Sequence, residues 1–160
     1  MKRDAVRRIA VAAGLIFLAG CAKMPDQRLF EKARKLETKQ KFQEAIAQYE
    51  RLVKQYPHSP HVVDAHYARA NAYAALQDFP KAVEAFTELT KTFPDTVRLV
   101  ANAHFMIGYI YHNEMKDTAN ARMAYRAFID RFPNNELASS AQWELDHLGV
   151  DINQDPLFKK

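Results

Sequence analysis

One cysteine, four glycines and one tryptophan are all that this 160-residue chain holds of those types. A lone cysteine rules out an intramolecular disulfide. There is no Gly-rich phosphate loop, and neither G-x-S-x-G nor H-E-x-x-H occurs, so the common signatures of nucleotide, acyl-transfer and zinc-hydrolase chemistry are missing. The apolar run Ile9–Ala19 has eleven residues, short of the roughly 20 that a helix needs to cross a bilayer. Surplus charge is scarce too. The formal net charge is +4, but Lys2, Arg3, Arg7 and Arg8 precede Cys21 against Asp4 alone, leaving 19 basic and 18 acidic side chains from Cys21 onward. Nucleic-acid binding therefore lacks its electrostatic footing. The remaining composition, 48% hydrophobic with few chain breakers, excludes disorder and suffices to bury the core of a single domain.

The first twenty residues read as an export signal. Met1 to Arg8 is positively charged, Ile9 to Ala19 is apolar, and small residues come next. The segment closes on Leu18-Ala19-Gly20-Cys21, which resembles the bacterial lipobox. That resemblance implies cleavage after residue 20, diacylglycerol on the sulfur of Cys21 and often acylation of its new amino terminus. Two or three acyl chains anchor firmly, since each buried methylene adds about 0.8 kcal/mol of membrane affinity. Ala22, where a retention signal would place Asp, implies by the same resemblance the outer membrane, with the protein facing the periplasm. The chain then divides into a leader (1–20), a lipidated N-terminus and tether (21–26), a repeat domain (27–148) and a tail (149–160).

Within 27–148 one layout occurs three times: Phe42-x-x-Ala45-x-x-x-Tyr49 to Pro57, Phe79-x-x-Ala82-x-x-x-Phe86 to Pro94, and Thr118-x-x-Ala121-x-x-x-Tyr125 to Pro133. The repeats are spaced by 37 and then 39 residues. Phe42, Ala45, Ile46, Tyr49, Leu52 and Val53 fall on one face of a 3.6-residue helix, as do Phe79, Ala82, Val83, Phe86, Leu89 and Phe93. Ser59 before Pro60, Asp78 before Pro80, Asp117, and Asn134 or Asn135 are helix-start signals. These patterns predict helices near 27–38, 41–55, 60–76, 79–92, 96–115, 118–131 and 135–147. The last covers the open end of the stack.

The A-x3-F…P layout, with small Ala33, Ala70 and Gly108 and then large Leu36, Tyr73 and Tyr111 in the preceding segments, resembles the tetratricopeptide repeat. Around Tyr56-Pro57-His58-Ser59-Pro60 the chain is also similar to envelope lipoproteins of the BamD and YbgF (CpoB) type. The implied fold is all-α, a helical-hairpin solenoid of three repeats plus a capping helix. The implied role is protein binding by an adaptor in an envelope assembly or maintenance complex. The first helix of each repeat would line a concave groove with Gln27, Phe30, Arg34 and Glu37, then Asp64, Tyr67, Asn71 and Ala74, then Asn102, Phe105, Tyr109 and His112. Aromatics flanked by amides suit peptide ligands. The competing reading packs Phe105 and Tyr109 onto the neighbouring helix.

His66 and His104 stand where the repeat usually has tryptophan. With no cysteine or fixed carboxylate to complete a metal set, they are expected to fill packing space. No cofactor, small-molecule substrate or catalytic residue is expected. Partners are expected to be other envelope proteins close to the membrane that the anchor contacts. The rival function is a structural envelope lipoprotein that associates with itself and has no dedicated peptide ligand.

Overall fold

A computed structural model describes residues 24–149. The leader, Cys21 and residues 150–160 lie outside the described residues. Among the described residues seven α-helices succeed one another: α1 Pro25–Glu37, α2 Phe42–Gln55, α3 Val62–Ala75, α4 Phe79–Thr92, α5 Val97–Tyr109, α6 Thr118–Arg131 and α7 Ala138–Asp146. No strand occurs among the described residues. Each helix packs chiefly on the helix before and the helix after it, so the architecture is a stack of antiparallel hairpins.

The division of labour between odd and even helices comes from side-chain size. The even helices bury large residues, among them Tyr49 and Leu52, Phe86 and Leu89, and Tyr125 and Phe128, all fully inaccessible. Burying one such phenylalanine or leucine is worth about 1.5–3 kcal/mol. The odd helices meet them with small residues: Ala33 shares a core cluster with Tyr49, and Ala70 shares one with Phe86. In the third repeat the partner is Gly108, where a Cβ would lie 2.8 Å from two ring carbons of Tyr125.

The unequal repeat spacing has a local cause. In the first two repeats the odd helix closes with a backbone bond from Lys41 N to Leu36 O (2.9 Å) and from Asp78 N to Tyr73 O (3.0 Å). Both bonds span five residues. The third repeat makes the equivalent bond from Asp117 N to Tyr111 O (2.8 Å), across six. That extra residue is absorbed by a π-helical turn over Ile110–Glu114, with Met115 N bonding to Ile110 O at 3.0 Å. A π turn is what one residue inserted into an α-helix produces. The other extra residue falls between Pro94 and Gly108, which are 14 apart where Pro57 and Ala70 are 13 apart. The single helix expected over 96–115 is therefore corrected to α5 and a π turn.

The end signals act close to where the sequence places them. Asp78 and Asp117 cap α4 and α6 by accepting from Lys81 N (3.4 Å) and Asn120 N (3.0 Å). Ser59 and Asn135 occupy equivalent positions and accept from the backbone two residues on, Ser59 Oγ from His61 N (3.1 Å) and Asn135 Oδ1 from Leu137 N (2.9 Å). Because these bonds organise a turn ahead of the helix, α3 starts at Val62 rather than residue 60, and α7 at Ala138 rather than 135. Conversely, α1 starts at Pro25, two residues early, because proline suits a first helical turn.

These turns and contacts can be tested through stability. Gln40 (φ 57°), Gln77 (φ 61°) and Lys116 (φ 55°) hold left-handed backbone immediately before the three closing bonds. Gln40→Gly and Gln77→Gly should each stabilise the fold by about 0.5–1 kcal/mol in a urea titration. Gly108→Ala should destabilise by about 1–2 kcal/mol despite alanine's better helix propensity, because the Tyr125 ring it strikes is buried and cannot swing aside. The denaturation midpoint should fall with the m-value unchanged.

Candidate peptide-binding groove

A cleft of about 430 Å³ opens between α1 and α3, lined by Phe30, Arg34, Glu37, Asp64, Tyr67, Ala68 and Asn71. Helical spacing brings them together, since 30, 34 and 37 share one face of α1 and 64, 67 or 68 and 71 share one face of α3. The rings are half-buried because each also serves the core. Phe30 stacks on His61 with centroids 4.9 Å apart and lies 6.0 Å from Tyr49, while Tyr67 stands edge-on to Phe86 at 5.5 Å. Arg34 is 63% exposed at the rim, its Nη1 3.5 Å from Glu37 Oε2. The Tyr49 hydroxyl is buried without a hydrogen-bond partner. Burial, and then the Glu37 carboxylate, push its pKa up, so it remains a neutral phenol. Ring surface, one guanidinium, two carboxylates and an amide can pair with peptide side chains and backbone.

The residues expected to continue the groove on α5 are not among those lining this cleft. Phe105 is half-buried, with its ring 5.8 Å from Tyr125 and 5.9 Å from Phe128. It thus packs onto the neighbouring helix, the competing expectation for this ring. Tyr109 is 38% exposed and Asn102 is half-buried. His112 lies in the π turn, and its Nδ1 is 2.9 Å from Glu144 Oε2 of α7. No sequence signal marks this contact, because Glu144 is 32 residues away in the terminal helix. The buried Tyr125 hydroxyl nearby also lacks a partner; burial, then the charge of Glu144, push its pKa up.

Seven helices among the described residues, stacked as hairpins with a cleft between α1 and α3, define a helical-repeat scaffold. A family model described as tetratricopeptide repeat matches residues 30–96 and 67–136, and the chain belongs to that family. Among curated proteins it is similar to the outer membrane protein assembly factor BamD of Xylella fastidiosa strain 9a5c. The two are 25% identical over 169 residues, covering 85% of this chain and 55% of the relative. The same protein of strain Temecula1 matches to the same extent. The chain thus spans about half the length of these relatives. Among solved structures, the TPR2AB-domain:pHSP90-complex of yeast Sti1 superposes with a TM-score of 0.62 at 14% identity. That match covers 82% of this chain and 52% of the other, a likeness of fold.

His66 and His104 lie within the fold rather than on the cleft. His66 is 3% exposed, its ring edge-on to Phe93 at 5.1 Å, and the His104 ring is 5.8 Å from Phe132. Among the described residues no group of three or more His, Cys, Asp or Glu is placed to hold a metal. Neither His66 Nδ1 nor His104 Nε2 has a hydrogen-bond partner. Glu88 Oε1 is 3.7 Å from His66, but that half-exposed carboxylate is already paired with Arg69. Burial therefore lowers the pKa of both histidines, helped by Arg69 at His66 and Arg131 at His104. A lowered folded-state pKa means that the unfolded chain binds more protons, so stability is full above about pH 6.5 and is lost as pH falls below it. The melting temperature should drop between pH 7.5 and 5, and the drop should be smaller in a His66→Gln/His104→Gln variant.

Proposed function

We propose that the chain is a lipid-anchored adaptor of the cell envelope, held at the outer membrane through Cys21 and binding a membrane-proximal protein partner in the α1–α3 cleft. The observation that carries this reading is the cleft itself. Phe30 and Tyr67 offer ring surface beneath a polar rim of Arg34, Glu37, Asp64 and Asn71, and the cleft lies at the N-terminal end of the stack, beside the tether. The lipobox-like Leu18-Ala19-Gly20-Cys21 supports the anchor, and the similarity to outer membrane assembly factors supports an envelope complex. Only Ala22, Lys23 and Met24 separate Cys21 from α1. Four Cα steps reach at most about 14 Å, which keeps the repeats against the membrane.

Cross-linking in intact cells, then affinity capture of the lipidated protein, tests the proposal. The expected result is a partner with a portion at the outer membrane. Arg34→Glu and Tyr67→Ala should each weaken its capture about tenfold or more, as an arginine or tyrosine anchor would. Contacts confined to cytoplasmic proteins, or capture indifferent to both substitutions, would overturn it. Self-association of the purified chain by light scattering, with no partner captured, would favour a structural lipoprotein instead.

A further inference from the structure

Antiparallel stacking places the start of every odd helix and the end of every even helix along one edge of the molecule. Specific contacts tie that edge together. Ser59 Oγ in the α2–α3 turn donates to Asp26 Oδ2 at the start of α1 (2.6 Å), and Arg131 at the end of α6 donates to the Pro94 carbonyl in the α4–α5 turn (3.4 Å). The two edges of the stack differ in chemistry. This one carries an aromatic-proline pair in each turn (Tyr56-Pro57, Phe93-Pro94 and Phe132-Pro133), and also Pro25 and Pro60. Met24 and Val97, 67% and 62% exposed, lie on it as well. A largely apolar cleft of about 440 Å³ opens there between Met24-Pro25 and the Tyr56–Pro60 turn. The opposite edge is richer in charge, with Lys39, the Lys41–Glu44 and Asp78–Lys81 ion pairs, Lys116 and Asp117; its apolar residues are Pro80 and the less exposed Leu76 and Met115, at 39% and 38%.

The chain enters on the proline edge, since α1 begins there four residues after Cys21. We propose that this edge is the surface on which the repeat domain rests against the bilayer, its occupant being the phospholipid headgroup layer. The inference rests on the lipidation of Cys21 proposed above and adds an orientation to it. A tether of at most about 14 Å cannot carry the anchor around to the far edge, because a 14-residue helix such as α2 is about 21 Å long. Half-buried aromatics, prolines and exposed Met24 and Val97 suit the headgroup boundary, where apolar bodies with polar tips are accommodated. Of the carboxylates on this edge, Asp26 already accepts from Ser59, and the exposed Asp95 and Glu136 can meet the amines of the headgroup layer. In this pose the helices stand upright on the membrane, the stack runs along it, and the α1–α3 cleft opens sideways to a partner on the same surface.

The test uses the lipidated protein in vesicles of phosphatidylethanolamine and phosphatidylglycerol. A fluorophore is attached through His58→Cys or Asn134→Cys on the proline edge, or through Lys39→Cys or Glu114→Cys on the other. All four side chains are exposed, and two sites per edge keep the comparison valid if one variant folds poorly. Quenching by a headgroup-nitroxide lipid should be at least about threefold stronger from the proline edge, given helix lengths near 21 Å between the edges. Equal quenching, or stronger quenching at Lys39→Cys and Glu114→Cys, overturns the orientation while leaving the anchor intact. Mass spectrometry of the N-terminal peptide separates the two ideas, because a chain without acyl mass at Cys21 overturns the anchor and this pose together.

Discussion

Everything in this molecule depends on how closely the two helices of a hairpin approach. In each repeat a small residue of the odd helix faces a fully buried aromatic of the even helix: Ala33 with Tyr49, Ala70 with Phe86 and Gly108 with Tyr125. Protein interiors are packed to crystal density, so these pairs set the interhelical distance, and the distance fixes which residues the odd helices turn outward. The α1–α3 cleft is a product of that geometry. Its rings, Phe30 and Tyr67, are held in place by contacts with the core residues Tyr49 and Phe86, so the recognition surface is rigid where it is apolar and adaptable only at the charged rim.

The third repeat departs from the other two, and the departures cluster. Its spacing is longer by two residues, its odd helix ends in a π turn, its small site is glycine, and His112 in that turn is tied to Glu144 of the terminal helix. A π turn rotates the succeeding residues relative to an α-helix, which brings His112 to α7 and so helps to fasten the cap. The first two repeats, with regular spacing, keep the open cleft. The residue inserted at the π turn thus helps to close one end of the solenoid, while the regular first two repeats leave a cleft at the other.

Much of this is legible in the sequence. The 3.6-residue periodicity of Phe42 to Val53 and of Phe79 to Phe93 locates the even helices, and the aspartates before α4 and α6 locate their starts. The repeat positions of Phe30, Arg34, Tyr67 and Asn71 put them on one surface, and they do share a cleft. Less legible is the α5 surface, because the register of Phe105 depends on how α6 packs beneath it. The buried hydroxyls of Tyr49 and Tyr125 are also invisible, since a tyrosine and a phenylalanine at equivalent repeat positions read alike by pattern.

By itself the sequence determined the helical class, the number of repeats, the even-helix faces and the lipobox-like approach to Cys21, because each is encoded in neighbours within about one turn or in a fixed spacing. Only the tertiary structure decided that the extra residue becomes a π turn, that Glu144 meets His112, that α1 begins at Pro25 beside the Ser59 turn, and that the three aromatic-proline turns gather on one edge with Pro25 and Pro60. Those facts depend on distances between residues tens of positions apart, which packing sets and no local pattern records.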